Sequence, residues 1–272
     1  MKSIDLNDLQ NSLFSDKNEF KSDLKCLKRV KNPPNRLYYK GDLSLLKKRK
    51  IAIVGSRKMT IYTKNLILNL SSKLKNAGIC VVSGCALGCD AAAHKGAFPN
   101  TIAVFGNGLN QIYPKTNETL INQIYNSSLA LSEYEPNTSA KGYQFLERNR
   151  IVVGLCEALI VAQADLRSGS LQSARLANEM GIPVFVFPHR INESRGTNEL
   201  LAKNKANLID DIDKFVAKFG GEISKNSDDA LINFIKSNSN FDEIYAKFGD
   251  IIYEYEFDGK VEIIGTKVLV KI

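Results

Sequence analysis

The sequence predicts an α/β fold: an extended Rossmann-like, mostly parallel sheet with helices on both faces, followed by a small C-terminal winged-helix-like module. Three observations predict it. From residue 51 onward, short unbroken apolar runs alternate with stretches of helical periodicity, the pattern of strands covered by helices on both sides. The special loops of the chain (GSR, SGCALG, GNG and SGS) follow those runs, and in open sheets of this kind ligands sit beyond the carboxyl ends of the strands. Beyond about residue 222 the rhythm gives way to helix-sized segments and a final alternating stretch.

Taken in order, residues 51–54 form a first apolar strand ending in Gly55-Ser56-Arg57. Residues 62–76 have helical periodicity and stop at Gly78, a residue that tolerates the backbone needed after a helix. Strands are expected at 79–82, 101–105, 129–131, 158–162 and 183–187, with a last one ending near Ile209. Helices are expected at 89–95, 116–125, 145–156, 170–180 and 198–203. Residues 228–236, 240–248 and 250–256 read as three short helices, and 259–272 as a hairpin turning at Gly265-Thr266. Before residue 46 the chain is polar and Lys-rich; Pro33-Pro34 blocks helix continuation, so LYYKGD reads as a docked extended arm after a short helical piece. The organisation expected is therefore an N-terminal arm (1–45), a Rossmann-like domain (46–220) and a winged-helix-like domain (222–272).

The chain has 272 residues, 44% apolar and 24% charged, the balance of a soluble globular protein. No apolar stretch reaches the about 18 residues of a membrane span, and MKSIDLNDLQNSLF lacks a secretory pattern, so a cytoplasmic location is expected. Five cysteines, an odd number without a disulfide spacing, fit free thiols in a reducing compartment. The net charge of +8 is uneven: residues 221–272 carry six Lys and ten Asp or Glu, a sum of −4, which leaves +12 on the first 220 residues. A basic body suggests a polyanionic partner, with nucleic acid the usual one.

The loops carry the chemistry. After the first strand, Gly55 permits close backbone approach, Ser56 follows it, and Arg57 supplies a permanently charged fork for phosphate oxygens. Ser83-Gly84 begins a second phosphate-sized loop, SGCALG, that opens a helix. It is neither a Walker loop nor a dinucleotide fingerprint, so ATP and NAD are not expected and no cofactor is assigned. Lys141, Phe145, Arg148, Asn149 and Arg150 lie in KGYQFLERNR, with Arg148 to Arg150 near a helix start; aromatic and cationic groups together suit the stackable bases of a single strand. The bland alternative makes Phe145 a core anchor and Arg150 a buried ion-pair partner. Gly169 and Ser170 open another helix beyond a strand, Ser170 serving also as a cap, and Gly196-Thr197-Asn198 repeats the pattern. Cys85, Cys89 and His94 do not make a zinc site, because no second cluster completes four ligands. His94 is expected to be satisfied by Asp90, four residues earlier. No catalytic constellation emerges.

The motifs LYYKGD, IAIVGSR, VVSGCALGCDAAAH, TIAVFGNGLNQIYP, SEYEP, FLERNRIVVGL, SGSLQSARLA and GTNELL stand in an order that resembles the DprA (Smf) family over roughly residues 30–210. The resemblance implies a Rossmann-like protein that binds single-stranded DNA, works as a homodimer, loads the recombinase RecA onto incoming strands in natural transformation, and relieves the block imposed by single-strand-binding protein. It also implies roles: Arg57 on a phosphate, Lys141 on backbone or base, Phe145 stacked on a base, Asn149 and Arg150 lining the groove, and Ser83-Gly84 with Gly169-Ser170 supplying amides. Cys85, Cys89, Gln163 and His189 depart from the usual pattern. Two rivals stand beside this reading. One is a nucleoside-monophosphate hydrolase, for which GTNE with Glu199 is present but the preceding PGG element is missing. The other is a pure adaptor that has lost its groove, against which Arg57 and Phe145 argue.

Overall fold

A computed structural model describes residues 2–6, 22–220, 230–249, 251–257 and 260–271, and the chain divides into two units, Met1–Ile223 and Ser224–Ile272.

Among the described residues the first unit is built on nine strands: β1 (Lys2–Asp5), β2 (Arg36–Gly41), β3 (Lys50–Val54), β4 (Cys80–Ser83), β5 (Thr101–Phe105), β6 (Leu129–Ser132), β7 (Ala158–Val161), β8 (Val184–Val186) and β9 (Asn207–Leu208). Their order across the sheet is β1-β2-β6-β5-β4-β3-β7-β8-β9. All neighbours from β6 to β9 are parallel, whereas β1 and β2 add an antiparallel edge. The arm foreseen around LYYKGD is thus strand β2, paired to β6 with Tyr39 opposite Leu131. Strand β1 was not foreseen. A 3-10 helix at Ser22–Arg29 precedes β2.

Among the described residues, seven α-helices clothe this sheet: α1 (Ile61–Asn76), α2 (Cys89–Ala97), α3 (Glu118–Ser127), α4 (Gly142–Gly154), α5 (Gly169–Glu179), α6 (Arg195–Ala202) and α7 (Ile212–Lys218). Strand alternation sends Ala52 and Val54 into one apolar layer with Ile151, Val153 and Ala174 of α4 and α5, while Ile51 and Ile53 face Ile67, Leu70 and Ala93 of α1 and α2. Both faces are buried, which is why the parallel strands are apolar without polar alternation. Helix α4 starts at Gly142, earlier than the sequence suggests, because Gln144 Oε1 accepts from the Lys141 amide at 2.6 Å and closes the first turn. Arg148 to Arg150 therefore lie inside the helix rather than at its start.

From β3 the chain builds β4, β5 and β6 to one side, then crosses over to place β7 on the other. That reversal is a topological switch point, and it opens a crevice above the carboxyl ends of β3, β4 and β7.

The second unit contains α8 (Ala230–Ser237), α9 (Phe241–Phe248), α10 (Ile251–Phe257) and the hairpin β10 (Val261–Ile264) and β11 (Lys267–Val270), turning at Gly265 and Thr266. Leu231, Ile235, Ile244, Ile252, Val261 and Val268 form its own core. Positions 228, 229, 250, 259 and 272 of the expected helices and hairpin lie outside the described residues.

Candidate functional site

The crevice at the switch point holds a cleft of about 380 Å³. Its floor is made by close backbone approach. A Cβ on Gly55 would stand 2.5 Å from Cys89 Sγ, so glycine lets the loop after β3 settle on the start of α2. The Cys89 amide then donates to the Ser56 carbonyl at 3.1 Å, fixing that loop. Ser56 Oγ accepts from the Lys58 amide at 3.0 Å and holds the turn that carries Arg57. Arg57 is exposed at the rim and lines the cleft. Gly84 follows β4, and Gly169 and Ser170 present the first turn of α5 to the same space. The cap of α5 is Ser168, whose Oγ accepts from the Leu171 amide at 3.4 Å; Ser170 is left to the cleft.

Helix α4 forms the opposite wall. Phe145, Arg148 and Asn149 are spaced i, i+3, i+4, so all three fall on one face, and all three line the cleft. Phe145 is half-buried and stacks on Tyr113, with ring centres 5.3 Å apart and planes 24° apart. Arg148 is 4% exposed; its Nη1 donates to the Val104 carbonyl, and its Nε has no hydrogen-bond partner. Beside it lies Asp90, also buried, accepting from the Ala86 amide at 3.3 Å. Burial raises the Asp90 pKa above the usual carboxylate value, and the Arg148 charge opposes that rise. Burial likewise lowers the Arg148 pKa, with Asp90 acting against it.

The structure thus brings Gly55, Ser56, Arg57, Gly84, Phe145, Asn149, Gly169 and Ser170 to one cleft, and adds Arg148. Three other residues expected there stand apart from its lining. Ser83 is buried, and its hydroxyl donates to the Ile53 carbonyl at 2.6 Å, stitching β4 to β3. Lys141 is exposed at the start of α4, outside the lining. Arg150, two residues beyond Arg148, turns to another face. Its Nη1 and Nη2 grip Glu133 at 2.7 and 2.6 Å, and its Nε donates to the Asn32 carbonyl at 2.9 Å. Tyr113, beside the cleft, is the residue the sequence reading did not single out, and it arrives from a distant loop; Arg148, named among the cations of KGYQFLERNR but not assigned to the groove, is marked by its helical spacing from Phe145.

The neighbouring motifs serve as supports. Gly196 donates to the Ala164 carbonyl at 2.8 Å, and Thr197 Oγ1 donates to Ser194 Oγ at 2.6 Å, so the GTN segment braces the loop after β7. Asn198 Nδ2 donates to the Arg190 carbonyl at 3.0 Å. Glu199 pairs with Lys203 on the surface of α6, away from the cleft. His94 is not held by Asp90: its Nδ1 meets Thr101 Oγ1 at 2.7 Å. Cys85 and Cys89 are buried, and burial pushes both thiols up to about 12. Among the described residues no group of three His, Cys, Asp or Glu side chains is placed to hold a metal ion.

A mostly parallel sheet with a crevice at its switch point, lined by glycine-bearing strand-end loops and arginines, defines a Rossmann-like α/β protein. The chain belongs to the DNA recombination-mediator protein A family, whose model matches residues 11–220. It is 40% identical over 198 residues to the DNA processing protein DprA of Streptococcus pneumoniae, covering 71% of this chain and 70% of that protein. It is 40% identical over 166 residues to DprA of Bacillus subtilis, where the match spans 60% of this chain and 56% of the relative, little more than half its length. Among solved structures, DNA processing protein A of Helicobacter pylori, described for its single-stranded DNA binding mode, superposes with a TM-score of 0.71 at 43% identity over 72% of this chain and 91% of that one. DprA of Streptococcus pneumoniae superposes with a TM-score of 0.69 at 39% identity, over 75% of this chain and 73% of that one.

Proposed function

We propose that this chain binds single-stranded DNA in the switch-point cleft and acts as a recombination mediator of natural transformation, protecting incoming strands and loading RecA onto them. The observation that carries the reading is the convergence of two unlike supports on one cleft: Arg57 and the glycine-bearing strand-end loops on one side, and Phe145, Arg148 and Asn149 from one face of α4 on the other. The first set suits phosphate oxygens; the aromatic ring suits an unpaired base, which a duplex keeps stacked inside. The single-strand binding described for the Helicobacter pylori protein supports the same choice.

In this reading the chain works as a cytoplasmic homodimer, so that two clefts grip one strand and effective concentration raises affinity. Single-strand-binding protein is the competitor it relieves. Lys141, exposed at the start of α4, reaches the strand outside the cleft. The C-terminal unit, three helices and a hairpin, is read as a winged-helix-like module whose acidity disfavours a phosphate contact. Among the described residues no helix is long and apolar enough to cross a membrane. We read the protein as a binder rather than an enzyme: the acid that a nucleoside-monophosphate hydrolase would use, Glu199, stands outside the cleft.

A fluorescent oligothymidylate and a matched duplex, titrated at low and high salt, test the proposal. Single-strand preference with affinity falling as salt rises is expected, since each neutralised phosphate releases counterions. Equal binding to both forms, or affinity indifferent to salt, would overturn it.

A further inference from the structure

We propose that a recess at the carboxyl end of β8 docks a partner protein through one cationic side chain, taken up between His189 and Glu193, with Ile61 and Ile191 as apolar contacts beside it. The recess, about 500 Å³, is lined by Tyr62, Pro188, His189, Arg190 and Glu193. None of these lines the cleft, so the two sites are separate. Two residues that depart from the family pattern, Gln163 and His189, support it. Gln163 Oε1 accepts from the Thr60 amide at 3.0 Å and fixes the start of α1, which carries Ile61 and Tyr62. His189 meets the Tyr62 ring edge-on, with ring centres 6.0 Å apart.

The His189 side chain is wholly buried. Its Nε2 lies 2.7 Å from the Ala162 carbonyl, which can only accept, so Nε2 carries the proton and Nδ1 is a lone-pair acceptor. Nδ1 has no hydrogen-bond partner and faces Glu193, whose Oε2 lies 3.9 Å away. Two acceptors thus confront each other with no hydrogen between them, an arrangement that is costly to leave unmade. A cationic nitrogen with two N–H groups, about 2.9 Å from each, bridges them. Two such side chains fall short of the set that holds a metal ion. The Tyr62 hydroxyl donates to the Pro188 carbonyl at 3.2 Å, which leaves the exposed ring at the mouth, where an aromatic face favours a cation. Arg190, also exposed there, disfavours a run of positive charge, so the ligand is a single cation in an apolar setting. Ile61 is 78% exposed and Ile191 85%, the large apolar side chains most open to water among the described residues, and they adjoin Tyr62 and Arg190 in the chain. Apolar contacts beside a receptor for one cation fit a protein segment rather than a free amine.

The test changes the ligand first, so it does not depend on a variant folding. The full chain is titrated with the peptide acetyl-Ser-Ile-Lys-Leu-Ser-amide and with the same peptide carrying norleucine for lysine, which keeps the apolar stem and loses the ammonium. The expected result is about tenfold weaker binding of the norleucine peptide. In Glu193→Gln, a change at a half-exposed position, that ratio falls toward one, and Ile191→Ser weakens both peptides alike. Equal affinity for the two peptides overturns the proposal. So does a lysine preference that survives in Glu193→Gln, or a lysine peptide that fails to bind at millimolar concentration. Each of these results leaves the strand-binding reading standing, because the recess lies outside the cleft lining.

Discussion

The guanidinium of Arg148 fills the space that a side chain at Gly84 would need: a Cβ on residue 84 would lie 2.0 Å from Nη1 and 2.2 Å from Nη2. The strand-end loop after β4 and the inner face of α4 are therefore fitted to each other, and Arg148 cannot swing aside because Nη1 is bonded to the Val104 carbonyl inside the protein. Gly84→Ala is expected to cost about 1–3 kcal/mol of stability by overpacking and to weaken strand binding, because the same contact shapes the cleft. Urea denaturation and strand titration check both. A variant with unchanged stability and affinity would mean that the contact is slack.

Arg150 is expected to behave in the opposite way to Arg57. It forms a two-pronged pair with Glu133, the side chains 18% and 17% exposed, and ties α4 to the segment after β6. Arg150→Ala leaves Glu133 poorly compensated and should lower stability by about 1–3 kcal/mol while leaving strand affinity near that of the wild type. Loss of affinity at unchanged stability would restore Arg150 to the DNA groove.

The contrast between Arg148 and Arg150 shows what the sequence could and could not tell. Helical positions three and four apart share a face and positions two apart do not, so Phe145, Arg148 and Asn149 were legible as a set once the segment was read as helix. The strands β3, β4, β5 and β7 and their loops were legible as well, because burial on both faces demands unbroken apolar runs. The partner of Arg150 was not: Glu133 lies in a separate loop, and which acid an arginine meets is decided by tertiary packing. The same holds for His94, which meets Thr101 at the start of β5 rather than Asp90 one turn away. Strand β1 was hidden because Lys-Ser-Ile-Asp has little apolar pattern; pairing with β2 at the sheet edge makes it a strand.

Phe145 and Tyr113 should be separable from the fold by their effects. Phe145 is only half-buried, so Phe145→Ala is expected to cost about 1–3 kcal/mol in strand binding through lost stacking. Tyr113→Ala should give a smaller loss in the same assay, because Tyr113 acts by holding the Phe145 ring. An unaffected Phe145→Ala variant would reduce the aromatic pair to packing.

His94 carries a pH dependence with a definite sign. Thr101 Oγ1 donates to the Val81 carbonyl, so His94 Nδ1 is the protonated nitrogen donating to Thr101, and Nε2 is buried without a partner. Burial first, and the Arg148 charge second, lower its pKa from 6.5 to about 3. The folded state therefore keeps His94 neutral where the unfolded chain takes up a proton. This contribution is full above pH 6.5 and is lost as pH falls toward 3, an effect on the order of a few kcal/mol. Asp90 works against it, since its raised pKa favours the folded state as pH falls toward 3.8. Urea denaturation at pH 7.5 and 4.5 should show a drop in the wild type that is smaller in His94→Gln; equal drops would contradict the assignment.

The most direct test of the cleft as the strand-binding site is an oligothymidylate titration of the wild type and Arg57→Ala, with urea denaturation of both. Arg57 stands exposed at the cleft rim, so its loss should leave stability unchanged while weakening binding and flattening the salt dependence. Unchanged affinity and salt slope in Arg57→Ala would place the strand elsewhere on the basic surface and contradict the account.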